Sequence, residues 1–135
     1  MNRVRILLAD DHPKFPEMTE RLLGKQFEVV AKVGNGQAMF DEAMRLKPDV
    51  IVSDISMPVL NGVDAAERLK ESGWQPRIVF LTVHSDSELI RRCLSTGAFG
   101  YVLKYRIATE LIPAIREALA GNIFVSQNLG RETFS

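Results

Sequence analysis

The chain has 135 residues, 46% hydrophobic and 25% charged, with 17 Lys and Arg set against 17 Asp and Glu. That length suits one domain built on one core and leaves no room for a second full one. The composition is that of an ordinary globular domain, and the charge balance argues against a broad basic surface for nucleic acid.

The first strand is expected at residues 5–9. Its apolar run, Ile6 to Ala9, is too short for a signal peptide and stops at the acids Asp10 and Asp11, so neither a membrane span nor export is indicated and a cytoplasmic location is expected. His12 reads as the start of the first helix. Phe15, Met18 and Leu22 recur at i, i+3 and i+7 and predict that helix, with Pro16 in its tolerant first turn and Gly24 closing it. A second strand is expected at 27–33. The Gly34-Asn35-Gly36 that follows lacks the third glycine of a dinucleotide loop and carries little weight as a ligand site.

The third strand is expected at 49–53, with Asp54 at its end, and Asn61-Gly62 marks the turn before a helix. A fourth strand at 77–83 leads to Ser85-x-x-Glu88, a capping-box pattern. That pattern opens a helix with the stripe Leu89, Ile90, Cys93 and Leu94, closed by Gly97. Cys93, the only cysteine, can form neither an internal disulfide nor a cysteine-rich metal site and reads as a small apolar residue of this stripe. Arg91 and Arg92 read as its solvated face. The fifth strand falls at 99–103. Leu111, Ile112, Ile115, Ala118 and Leu119 define the last helix, for which Thr109 is the expected N-cap and Pro113 a first-turn residue. Residues 127–135 read as a polar linker or tail.

Strand and helix thus alternate five times, and several strands are apolar continuously rather than alternately. That calls for an α/β fold, a doubly wound parallel sheet covered on both faces by helices. In such sheets the ligand site lies beyond the carboxyl ends of the strands. Asp10 and Asp11, Asp54, Thr82 and Lys104 all end strands and converge on that rim. Three carboxylates form a hard oxygen site suited to Mg²⁺. A lysine and a hydroxyl beside them suit phosphoryl oxygens, and Asp54 is the carboxylate best placed to accept a phosphoryl group.

These residues resemble the receiver domains of two-component response regulators. The matching pieces are the acidic pair Asp10 and Asp11, "DISMPVLNG" from Asp54 to Gly62, "LT" ending at Thr82, "GAFGYVLK" ending at Lys104, and "AIREALAGNIFVS" near the end. The last two look most like the NarL/FixJ (LuxR-type) subfamily. The resemblance covers roughly the first 126 residues and implies a flavodoxin-like (βα)5 domain with five strands in the order 2-1-3-4-5. It implies that Asp54 is phosphorylated by a sensor histidine kinase. Mg²⁺ would be held by Asp11, Asp54 and the backbone carbonyl of Ser56, with Asp10 assisting. Lys104 would contact the phosphoryl oxygens, and Thr82 and Tyr101 would form the switch pair. A homodimer is a possible assembly, and DNA would be met only through a helix-turn-helix domain absent from this chain.

Val83 stands where the family usually has a very small residue, and Tyr105 where a proline or short polar residue often follows the lysine; a cis peptide after Lys104 is usual in the family. His84, two residues past Thr82, is a weak candidate for tuning hydrolysis. Three other functions share some of these features: a stand-alone receiver, a degenerate receiver that only binds a partner, and a magnesium-dependent phosphatase with an aspartyl-phosphate intermediate. The adjacent Asp10 and Asp11 lack the Asp-x-Asp spacing of that last class.

Overall fold

The computed structural model describes residues 3–83 and 86–126. Strands β1 (Arg5–Ala9), β2 (Glu28–Val33), β3 (Val50–Asp54), β4 (Arg77–Thr82), β5 (Gly100–Leu103) and β6 (Phe124–Val125) form one sheet in the order β2-β1-β3-β4-β5-β6. Every neighbouring pair is parallel. The five-stranded order 2-1-3-4-5 is therefore present, with one short strand added at its edge. β6 was not expected because two residues carry no periodicity; it forms because Phe124 and Ser126 donate their N–H groups to the Phe99 and Tyr101 carbonyls.

Helices α1 (Phe15–Leu23), α2 (Gly36–Leu46), α3 (Gly62–Glu71), α4 (Ser87–Ser95) and α5 (Ile107–Leu119) connect the strands. Alternate strand residues face opposite sides, and both sides are buried. Ile6, Leu8, Val50, Val52, Val79, Leu81 and Val102 pack with residues of α1 and α5. Leu7, Ala9, Ile51, Phe80, Tyr101 and Leu103 pack with residues of α2, α3 and α4. This double burial is why the strands are apolar without alternation. Among the described residues no helix is long and apolar enough to cross a membrane.

Several local expectations shift. Met18 is 56% exposed, and Thr19 and Leu23 are the buried residues of α1, because the inward stripe follows the four-residue spacing from Phe15. The side-chain cap of α4 is Asp86, whose carboxylate accepts the Glu88 N–H at 2.8 Å. Ser85, expected in that role, lies outside the described residues, as do His84 and the tail at 127–135. Gly97 closes the helix as expected, in the left-handed region at φ +88°.

The last helix begins earlier than expected. A 3-10 turn over Lys104–Arg106 runs straight into α5, so Arg106 rather than Thr109 precedes the first helical residue and Pro113 falls inside the helix. Pro113 and Thr109 are both exposed, so water can reach the carbonyl that the missing N–H leaves free. Among the described residues there is no cis peptide bond, the Lys104–Tyr105 bond included.

Candidate functional site

β1 and β3 lie side by side in the middle of the sheet, and their ends bring Asp10, Asp11 and Asp54 together. One carboxylate oxygen from each lies within 4.8 Å of the others. Asp10 is 4% and Asp54 8% exposed, while Asp11 is open to solvent. Like charges this close repel one another, and burial adds a desolvation cost, so the cluster depends on compensating groups.

Lys104, delivered from the end of β5, supplies one. Its Nζ donates to Asp54 Oδ2 at 2.9 Å and lies 3.2 Å from Asp10 Oδ2. Backbone groups supply others: Asp54 Oδ1 accepts the Ile55 N–H at 2.7 Å and Asp10 Oδ1 accepts the His12 N–H at 2.9 Å. Burial still pushes the Asp54 carboxyl above its ordinary value, against the downward pull of Lys104. For Lys104 the balance runs the other way. Burial alone would lower its pKa, but the hydrogen bond and charge of Asp54, together with Asp10, outweigh burial and raise it, so the ammonium stays charged.

Asp10 Oδ2 is buried and faces the Lys104 ammonium at 3.2 Å, a longer contact than the 2.9 Å hydrogen bond that Lys104 gives Asp54. A buried carboxylate oxygen with an unused lone pair, two neighbouring carboxylates and an opening to water beside Asp11 together fit a small hard cation. Ser56 sits two residues beyond β3 at the same rim and is exposed.

The loop after β3 is held tightly. Ser53 Oγ donates to the Asp54 carbonyl at 2.7 Å, and the Gly62 N–H donates to Ile55 O at 2.9 Å. A Cβ on Gly62 would sit 2.1 Å from the Asp54 carbonyl oxygen, so only glycine lets α3 start this close to the acid. Asn61, read as a turn residue, caps α3 by accepting the Asp64 N–H at 2.8 Å. Asn35 caps α2 in the same way, a structural role for the Gly34-Asn35-Gly36 stretch.

Thr82 ends β4 and is 1% exposed, beside Asp54 on β3, which pairs with Leu81. Tyr101 is fully buried and hydrogen-bonds with Thr82. Its ring therefore already sits inside the cluster that includes Ile90 and Cys93 of α4. Val83 and Tyr105 are exposed at the rim, and the Arg106 guanidinium lies 5.5 Å from the Tyr105 ring. Sequence reasoning missed two contributors. Gly62 lay inside a quoted motif but read only as a turn, and Phe15, read as a core position, places its ring against Lys104.

Residues 6–116 match the response regulator receiver domain family. The chain belongs to that family. Among curated relatives, this receiver is 35% identical over 126 residues to the transcriptional regulatory protein DegU of Brevibacillus brevis, covering 92% of this chain and 53% of the relative. It is 34% identical to the nitrate/nitrite response regulator protein NarL of Escherichia coli K12, covering 92% of this chain and 58% of that one. The receiver thus spans little more than half the length of these relatives. A solved two-component response regulator of the LuxR family from Aurantimonas sp. SI85-9A1 superposes with a TM-score of 0.92 at 30% identity, covering 98% of this chain and 96% of that one. The receiver is of the NarL/LuxR type, consistent with two-component signalling and transcription control.

Proposed function

We propose that this receiver accepts a phosphoryl group on Asp54 from the phosphohistidine of a sensor histidine kinase, and that the modified domain changes shape to control transcription. The observation that carries this reading is Lys104 held against both Asp54 and Asp10, in a cluster whose third carboxylate, Asp11, is open to solvent. The complete acidic set argues against a degenerate receiver.

An Asp54 oxygen forms the new O–P bond as the P–N bond of the donor breaks. The electron pair returns to the imidazole nitrogen, which takes up a proton. Lys104 stays charged through the step and follows the phosphoryl oxygens. Asp10, Asp11, Asp54 and the Ser56 carbonyl would hold Mg²⁺. When bound, the ion supplies positive charge that offsets the phosphoryl and carboxylate charges. The new group adds about −1.5 to −2 charges. Thr82 turning toward it would give up its hydrogen bond with Tyr101, freeing the ring to repack against α4. The domain catalyses only its own phosphotransfer and dephosphorylation. In this reading residues 1–126 form the receiver and 127–135 a linker or tail. Homodimerisation and a cytoplasmic location belong to the same reading.

Incubation with acetyl phosphate and Mg²⁺ tests it by intact mass. The expected result is a gain of one phosphoryl group, removed by hydroxylamine and absent in Asp54→Asn. Labelling of that variant would move the acceptor elsewhere, and unchanged magnesium binding in Asp11→Ala would move the metal.

A further inference from the structure

Among the described residues, three groups lie against the Lys104 ammonium. Two are the carboxylates of Asp54 and Asp10. The third is the ring of Phe15, whose centroid lies 4.7 Å from Nζ. A cation at this distance over a ring face is attracted by the ring's quadrupole, more strongly where water is excluded, and the Lys104 side chain is 14% exposed.

Phe15 is itself fixed. It is the first residue of α1, its N–H donates to His12 Nδ1 at 3.3 Å, and the His12 ring meets it edge-on at 6.3 Å and 76°. The ring also packs against the core cluster that contains Ile6, Leu8 and Leu111. The two carboxylates cannot serve Lys104 constantly, because acyl phosphate formation consumes one Asp54 oxygen and a bound cation competes for both acids. The ring neither titrates nor ligates a hard metal. It is the partner whose own chemistry phosphotransfer leaves unchanged.

We propose that Phe15 is a positioning residue for phosphotransfer: its ring face holds the Lys104 ammonium where the incoming phosphoryl oxygens arrive. This rests on the phosphoacceptor reading of Asp54. The alternative is a ring that only plugs the start of α1.

The test is a double-mutant cycle on the full chain, following the initial rate of Asp54 labelling by acetyl phosphate with Mg²⁺. Phe15→Leu should slow labelling about threefold to tenfold, the size of a partly screened cation–ring contact, and Phe15→Tyr, which keeps the ring face, should label like the wild type. In a Lys104→Ala background Phe15→Leu should have no further effect. An equal slowing in both backgrounds, or no slowing in either, overturns the proposal. Should Phe15→Leu melt before assay, Phe15→Met takes its place in the cycle. A readout independent of phosphorylation is the Lys104 ε-methylene proton resonance, expected upfield through the ring current and returned to its ordinary position in Phe15→Leu. Absence of that shift in the wild type defeats the proposal whether or not Asp54 is labelled. A wild type that shows the shift but takes no label defeats the phosphoacceptor reading, and with it the role of Phe15 in phosphotransfer.

Discussion

Ser126 Oγ donates to Glu110 Oε1 at 2.5 Å, between a serine that is fully buried and a glutamate that is 7% exposed. The same serine oxygen accepts the Leu103 N–H at 3.0 Å, and the Ser126 N–H donates to the Tyr101 carbonyl at 2.9 Å. The last described residue is therefore bonded to β5 on either side of Val102, next to both Tyr101 and Lys104. Ser126→Ala would leave a buried carboxylate oxygen and a buried N–H without partners, at about 1–3 kcal/mol each. The expected outcome is a urea midpoint lowered by at least about 2 kcal/mol in stability and faster amide exchange at 124–126. An unchanged midpoint would mean that β6 lies outside the cooperative core.

Two glycines approach the backbone at either end of the loop between β3 and α3. A Cβ on Gly62 would meet the Asp54 carbonyl oxygen at 2.1 Å, and one on Gly36 would meet the Leu60 carbonyl oxygen at 2.1 Å. Both obstacles are backbone, which cannot rotate away. Gly62→Ala should cost about 1–3 kcal/mol or more, as overpacking does, and should slow labelling of Asp54 because the strand end itself is displaced. Gly36→Ala should cost stability similarly, with a smaller effect on labelling, since Leu60 lies six residues beyond the acid. Thermal melting and the acetyl phosphate assay read the two effects separately, and a Gly62→Ala domain of wild-type stability would contradict the geometry.

What the sequence made legible follows from what each residue's chemistry demands. Asp10, Asp11 and Asp54 were readable because adjacent acids behind buried strands need a common compensating partner, and the strand ends named Lys104. The five core strands were readable from continuous apolar runs. Pro113 misled because proline prefers a first turn, yet an exposed helix face tolerates it where water satisfies the orphaned carbonyl. β6 was silent because its register comes from backbone hydrogen bonds to β5 and from a serine–glutamate pair sixteen residues apart. Phe15 gave no signal because an aromatic at a helix start looks alike whether it touches another apolar side chain or a cation.

Val59 adopts φ +69° although it is β-branched, and it is 82% exposed, so no packing repays the conformation. Left-handed backbone costs such a residue about 1–2 kcal/mol. Val59→Gly should therefore raise stability by about 1 kcal/mol despite the entropy glycine adds to the unfolded chain. Because Val59 lies five residues after Asp54, the same variant tests whether the strain serves the site: labelling at the wild-type rate would show the strain to be incidental. A loss of stability would mean that the entropy glycine adds to the unfolded chain outweighs the strain it relieves.

Two buried acids make the domain sensitive to alkali. Burial pushes the Tyr101 phenol from 10.0 up to about 12, with its hydrogen bond to Thr82 pulling the other way. Burial likewise pushes the Cys93 thiol from 9.0 up to about 12, opposed by the charge of Arg92. In both, the fold favours the protonated form, so the native state binds more protons than the unfolded chain in this range and stability falls as pH rises. The Cys93 contribution is complete below pH 9.0 and that of Tyr101 below pH 10.0, and both are lost as pH climbs to about 12. At ~1.4 kcal/mol per pKa unit, Tyr101 contributes on the order of 3 kcal/mol. Urea unfolding at about pH 8 and about pH 11 should show this decline, and Tyr101→Phe, which cannot ionise, should show a shallower one. An equally steep decline in Tyr101→Phe would assign the alkaline loss to Cys93 and to lysine neutralisation instead.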